Sequence, residues 1–571
     1  MKSLNNSSYF MLGLLCAGLI FSSCTKNFNS INTNPEDVVS VSTESLFARA
    51  CLGATNGPGA DFQQYYDVYR DVNPWMELWV NNGGNPAAFN EVGANFNYRY
   101  GIYYGSVGNY LADIIHKINT MSDADKAKYQ NELAIAQILN VYYAWYVSDI
   151  NGDIPYTEAF QLRYGGTDQP KYDYQDSLFG IWDSELKQAV SMLKSGSSAQ
   201  QATYGNYDLF YYGDVNKWIK AGTSLRLKIA MRLMKRDPNK LASIANEVIA
   251  SGDLMSSNDD NWIFYARNGS TGPGGNWDPT GFVAPKPMVD FMWNTSDPRI
   301  GLFFQKNDYD SLTFVALQQQ GKISPDSSWN PRQYVGMFCS PDAVKTPLGR
   351  RLIFRDTLKQ GGNNVLLDTL SLIQYRLFQA EYPDQNGNVG QGNTPFVILT
   401  YPDVCLMRAE LAARGLTTED PAQWYYEGIK ASIEMYDHLA SMAKIFNYNS
   451  VAVTQQAINN YLSNPTIQYN PAKGIKQICV QEFINYFKQF NEAWALWKRT
   501  GYPDTTTDLV REPLLSGGQY LEIPRRAVFN NVISGAPNYD NVQAALQHMS
   551  SDPDWGSGPA DVYGRVWWDK K

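Results

Sequence analysis

Histidine is scarce in this 571-residue chain: His116, His438 and His548 are isolated from one another. Imidazole-based zinc sites and catalytic triads therefore have little to draw on. The cysteines form no CxxC pair. Past the first thirty residues they stand far apart, as Cys51, Cys339, Cys405 and Cys479, which argues against both a zinc ribbon and a disulfide framework. No GxSxG elbow, HExxH pair or phosphate-binding glycine loop occurs. The net charge of −9, with no dense run of Lys and Arg, excludes a nucleic-acid footprint. Beyond the amino terminus no apolar run approaches the roughly 20 residues that span a bilayer.

The one long apolar run is "MLGLLCAGLIF", residues 11–21, behind Lys2. It is too short for a lasting membrane span and fits the apolar part of an export signal. Ser22, Ser23 and then Cys24 follow, an arrangement that resembles a bacterial lipobox, with Phe21 where Leu is usual. Residues 1–23 are read as a lipoprotein signal peptide and Cys24 as the lipidated residue. The alternative is a plain secretory signal with an incidental cysteine. "TKNFNSINTNPEDVVS" (25–40) is polar and reads as a flexible tether. No acidic run follows Cys24, so which leaflet is reached stays open.

Aromatic residues are abundant: 38 Tyr, 25 Phe and 15 Trp, 14% of the chain. Such rings serve large cores and sugar-stacking surfaces alike. Helical patterns recur at 131–150, 176–196, 214–236, 400–415, 420–440 and 475–501, with Gly196 as a C-cap and Pro238 as a stop. On 131–150, Leu133, Ala136, Leu139, Tyr143 and Tyr146 share a stripe. Short connections suggest stacked helical hairpins without a clean 34-residue period. Residues 252–395 differ, being rich in Gly, Pro, Asn and Asp. The expected architecture is mainly α, a single domain over 41–571: a helical scaffold carrying a large irregular, loop-rich insertion.

Several motifs follow in a characteristic order: "NGDIPYTEAF" (151–160), "YDYQDSLFGIWDSELKQAV", "YYGDVNKWIKAGTSLRLKIAMRL", "ILTYPDVCLMRAELAARG", "EAWALWKRTGYP" (492–503), "EIPRR" (522–526) and the terminal "RVWWDKK". Together they resemble the SusD/RagB family of outer-membrane nutrient-binding lipoproteins, in the SusD-like branch associated with starch binding. The resemblance implies four degenerate tetratricopeptide-like helix pairs, no enzymatic activity and no cofactor. It also implies an outer-membrane, lipid-anchored location facing the cell exterior and a SusC-like TonB-dependent transporter as partner. The ligand it implies is a nutrient, a glycan or alternatively a peptide.

For ligand contact the first candidates lie in "DVNPWMELWVNNGGNP" (71–86). Trp75 and Trp79 are four apart, and Asn81 and Asn82 follow, pairing aromatic platforms with amides for sugar hydroxyls. The alternative is that both tryptophans are core. Trp277, in "GPGGNWDPTG", is the second candidate, with Trp262, Tyr265 and Trp329 in the same irregular region. Asp149, Asn151 and Asp153 begin a calcium-loop pattern, but Ile154 and Phe160 stand where Gly and Glu are required. Asp384, Asn386 and Asn388 fail similarly, so both read as turns and no metal is assigned. A glycan hydrolase is the rival class. Glu410 and Glu492, however, sit in Ala-flanked helices as structural partners for arginines such as Arg499.

Overall fold

The computed structural model describes residues 41–57, 59–81, 96–267, 269–271, 275–353 and 355–571. The signal peptide, Cys24 and the tether lie outside the described residues. No helix among them is long and apolar enough to cross a membrane.

The chain is mainly helical, as its 3.6-residue apolar periodicity predicts. Four helix pairs form the scaffold: Gly108–Asn119 with Gln130–Asn151, Gln175–Ser195 with Val215–Ala230, Tyr401–Ala413 with Pro421–Ala443, and Gly474–Asn485 with Phe490–Thr500. Each pair also touches the next, and the apolar faces form two large clusters, one mainly under the first two pairs and one mainly under the last two. The Gln130–Asn151 helix packs between the Gly108–Asn119 and Gln175–Ser195 helices and is buried on nearly every side. Boundaries follow local chemistry. The Asp214 carboxylate accepts from the amides of Asn216 and Lys217, and Thr400 with Asp403 forms a reciprocal capping box. Gly196 ends the second pair's first helix in a positive-φ conformation. Pro238 opens the Pro238–Ser251 helix, where its missing N–H costs nothing.

Buried ion pairs bolt the pairs together. Arg232 is shared between Asp149 (2.9 Å) and Glu492 (3.0 Å). Arg499 meets Glu410 at 2.5 Å, and Arg414 meets the same carboxylate at 2.7 Å. Two arginines hold Glu410 below the usual carboxylate range against the effect of burial. Removing one partner of such a pair strands a buried charge, which costs about 3–5 kcal/mol.

The insertion is tied at its neck. Trp262–Ala266 pairs antiparallel with Thr394–Leu399, with Phe264 opposite Phe396. Between these strands the chain is less irregular than its composition predicts. It contains the Lys286–Thr295 and Ser311–Gln319 helices and a hairpin, Asp356–Gln360 with Asn363–Leu367. Gly361 and Gly362 turn that hairpin with φ of 55° and 88°, a twist that side chains disfavour. Val80–Asn81 pairs with Phe282–Val283 and draws the 71–81 segment against the insertion.

Candidate functional site

The structure separates the predicted ligand residues. Trp75 is fully buried against Trp494 (ring centroids 5.4 Å) and Phe96 (5.5 Å). Trp79 is buried too: it stacks on Phe282 at 4.8 Å, and its indole N–H donates to the Tyr69 carbonyl at 3.2 Å. The shared helical face expected of this pair does not form. The helix ends at Trp75, and Glu77 turns the chain with φ of 56°. Glu77 is held there by Arg511, whose Nε lies 2.8 Å from its carboxylate. Trp262 is likewise interior, packed on Trp218 at 4.9 Å and Tyr142 at 5.4 Å. These three tryptophans are core residues with no face to offer a ligand. Asn81 is half-buried in its short strand, and Asn82 lies outside the described residues. Trp329 is 37% exposed and donates to the Tyr309 carbonyl at 3.0 Å. It sits beside a small separate core of Leu317, Leu358 and Leu367, against which Tyr309 packs.

Trp277 has a different setting. Its ring is half-buried, edge-on to Phe396 at 5.7 Å. Two hydrogen bonds tie its turn to one segment: Tyr69 Oη donates to the Trp277 carbonyl (3.3 Å), and Asn276 Nδ2 donates to Asp61 (3.0 Å). That segment, Ala60–Phe62 running into the π-helix Gln63–Val72, carries an aromatic surface that composition alone did not reveal. Phe62, Tyr66 and Tyr98 lie within 17° of parallel, with centroids 5.6, 5.7 and 6.3 Å apart. Phe62 is 43% exposed, and the Arg70 guanidinium covers the Tyr65 ring at 5.6 Å. The sequence signal was "DFQQYYDVYR" (61–70), dense in rings and amides. Without a turn residue to mark it, it reads as ordinary helix.

π-helical winding is rare, and its short forms are frequent at functional sites. The wider turn rearranges faces. On an α-helix Phe62, Tyr66 and Tyr69 would share one stripe; here Phe62 and Tyr66 stay together outside while Tyr69 is fully buried. Asp67 anchors the arrangement from beneath, accepting from the amides of Asn97 and Tyr98 at 3.0 Å each. Burial pushes the Asp67 carboxyl up to about 7, although Arg99 and those amides oppose the rise. Asp71 is pushed up to about 8, by burial and then by Asp67.

Beside this surface runs a narrow cleft of about 120 Å³ whose walls include Gln63, Gln64, Tyr146, Trp277, Phe396 and Asn491. Gln63 Nε2 donates to the Tyr146 hydroxyl at 2.7 Å. The buried Arg99 donates to Asn491 Oδ1 at 2.5 Å and lies over the Tyr146 ring at 3.9 Å. Arginine can only donate, so Asn491 turns its oxygen to Arg99, and its buried Nδ2 has no partner among the described residues. Rings beside amide side chains such as Gln64 suit a sugar, whose ring faces are apolar and whose edges carry hydroxyls. A second, wider cleft of about 1000 Å³ holds Tyr265 and His438 on its walls.

Glu410 and Glu492, read from the sequence as structural partners for arginines, are so engaged: Glu410 with Arg499 and Arg414, Glu492 with Arg232. The D-x-N-x-D residues diverge as well. Asp149 pairs with Arg232, Asn151 exchanges hydrogen bonds with Asn97, and Asp153 faces His548 at 2.7 Å. Asp384 Oδ1 accepts from the amides of Asn386 and Asn388 at 2.9 Å, which makes a turn.

No curated protein matches the chain significantly. Solved structures do match, and the fold is shared with them. A chitin-binding protein is 22% identical with a TM-score of 0.68, covering 93% of this chain and 100% of its own. A SusD homologue from Bacteroides fragilis is 20% identical, TM-score 0.65, with the same coverages. An outer-membrane protein of Bacteroides vulgatus, described as putative and probably involved in nutrient binding, is 20% identical with a TM-score of 0.64, again covering 93% and 100%. The family profile described as "starch-binding associating with outer membrane" matches residues 35–328 and 366–529. That match takes in the helix pairs, the neck strands and the aromatic surface, and the chain belongs to the SusD-like family.

Proposed function

We propose that the protein captures an oligosaccharide or polysaccharide at the bacterial surface and hands it to a SusC-like TonB-dependent transporter in the outer membrane. The observation that carries this reading is the parallel triad of Phe62, Tyr66 and Tyr98 next to the anchored Trp277 ring. A sugar's apolar face stacks on such rings, and the Gln64 amide on the cleft wall offers a partner for its hydroxyls. Family membership supports a binding role associated with the outer membrane, and a chitin-binding structural neighbour is consistent with a glycan ligand. The lipid on Cys24 holds the binding body beside the transporter. The bound sugar is released to the barrel unprocessed.

Affinity electrophoresis through gels containing starch, soluble chitin or xylan tests the ligand class. Retardation by at least one polymer, strongly reduced in the Phe62→Ala/Trp277→Ala variant, is the expected result. Binding of peptides with no retardation by any glycan would move the reading to a peptide nutrient, and release of shorter sugars by the purified protein would replace it with a hydrolase. Absence of a barrel protein after mild detergent co-purification would remove the transporter.

A further inference from the structure

The wider cleft borders the Trp262–Ala266 neck strand, whereas the narrow cleft with Trp277 borders its partner Thr394–Leu399. The cross-strand pair Phe264 and Phe396, 6.1 Å apart, forms the partition: Phe264 lines the wide cleft and Phe396 the narrow one. The walls of the wide cleft come chiefly from the 206–217 and 258–261 stretches, the Trp262–Ala266 strand and the Pro421–Ala443 helix, which contributes Glu434 and His438. Its volume is at the upper end of those that enclose small-molecule ligands.

One wall of it is built at a conformational cost. Tyr212 adopts a left-handed backbone, φ 55°, and Gly213 follows at 82°. A non-glycine residue held there stores about 1–3 kcal/mol and persists only where its surroundings insist on it. The fully buried Asp208 does so. Its Oδ1 accepts from the amides of Phe210 (3.0 Å) and Tyr211 (3.2 Å), and its Oδ2 from Gly213 N (2.9 Å) and Trp218 Nε1 (2.7 Å). The outcome is a Tyr212 ring that is 65% exposed at the cleft, contributing little to the core.

Across from it Tyr265 is half-buried with His438 edge-on at 6.1 Å, and its hydroxyl has no hydrogen-bond partner among the described residues. Asn206, Asn258 and Asn261 add amides. Charges of both signs share the walls, Lys217 and Arg267 against Asp259 and Glu434, so the cleft favours neither anions nor cations.

We propose that this cleft is a second carbohydrate subsite, taking a short segment of an uncharged oligosaccharide between Tyr212 and Tyr265. The proposal rests on the glycan reading above and extends it: one polymer chain, or two chains, would be gripped on both sides of the Phe264–Phe396 partition. Two weak sites on one long ligand raise its overall retention without tightening either site.

The test uses four forms of the mature protein: wild type, Phe62→Ala/Trp277→Ala, Tyr212→Asn/Tyr265→Leu, and all four changes together. Asn tolerates the left-handed backbone at 212 and Leu keeps the strand apolar; Tyr265→Phe, which removes one hydroxyl, serves if the pair misfolds. Maltoheptaose and chitohexaose are titrated by calorimetry and by saturation-transfer NMR, and the corresponding polymers are used in affinity gels. The surface variant is expected to keep a weak, saturable one-to-one binding of at least one oligosaccharide. The cleft variant is expected to keep the tighter site but to lose about tenfold in polymer retention, and the fourfold variant to bind nothing. If the surface variant binds no sugar, or the cleft variant retains polymer like wild type, the second subsite is wrong while glycan capture stands. If wild type binds none of the probes, glycan capture itself fails and the subsite fails with it.

Discussion

Trp75 and Trp79 lie a few residues along the chain from Phe62 and Tyr66, and the two groups have opposite fates. The first forms an aromatic floor with Tyr69, Phe282, Phe378 and Trp494, wholly inside the molecule. The second, with Tyr98 and Trp277, stands at the surface. Residue type does not distinguish them, since both groups are large rings with or without a polar edge. What distinguishes them is what packs over them: Phe282, Phe378 and Trp494 cover the first group, and nothing comparable among the described residues covers Phe62. The Trp79 indole reaches the Tyr69 carbonyl, so its burial leaves nothing polar stranded. The π-winding then carries Phe62 and Tyr66 to the outer face, where the protein offers them each other.

Truncating the floor should have the largest effect. Trp79→Ala is expected to cost about 3–5 kcal/mol of stability, measured by urea unfolding, with ligand retention falling in step with the folded fraction. A variant as stable as wild type would place Trp79 outside the core. The surface should respond the other way: Phe62→Ala or Trp277→Ala is expected to weaken glycan binding by about tenfold, with the unfolding midpoint nearly unchanged. Equal losses of stability in both groups would erase the distinction between them.

The boundary between the two is sensitive to pH. Asp71 has a folded-state pKa of about 8, raised from the ordinary value by burial. The folded state therefore binds more protons than the unfolded chain between about pH 4 and pH 8, and its stability falls as pH rises through that window. Asp67, raised to about 7, acts in the same direction. Asp71→Asn should accordingly stabilise the protein at pH 8 and give no gain at pH 4. Thermal unfolding at the two pH values checks this, and a gain of equal size at both would show that charge is not the cause. The smallest effect is expected from Trp329→Ala. This ring belongs to neither group, and its stretch, 329–365, is the part of the insertion the family profile passes over. Stability should change by no more than about 0.5 kcal/mol, with glycan retention as in wild type.

Much of the scaffold was legible from local pattern. The helices at 131–150, 176–196, 400–415 and 420–440 appear within a few residues of their apolar periodicity, with Gly196 at a helix end. The structural roles of Glu410 and Glu492 were also readable, because carboxylates buried in Ala-rich helices need arginine partners. The insertion was marked by its composition, but its neck was not. The pairing of Trp262–Ala266 with Thr394–Leu399 joins residues more than a hundred positions apart, and no short window contains both strands. The site was least legible. Trp75, Trp79 and Trp262 looked available because their covering partners, such as Phe282, Trp494 and Trp218, are remote in sequence. Phe62 and Tyr66 were not singled out, because no local pattern in 61–70 marks the wider winding that turns them outward.

The amino-acid sequence by itself determined the helical pairs, the place of the insertion and the ordered motifs of the SusD-like family, since each depends on near neighbours and on apolar spacing. Tertiary structure alone decided which rings face water. Exposure is set by whatever packs over a side chain, and here the covering residues arrive from across the chain, through the Val80–Val283 pairing, the Asp67 anchor and the strands of the neck.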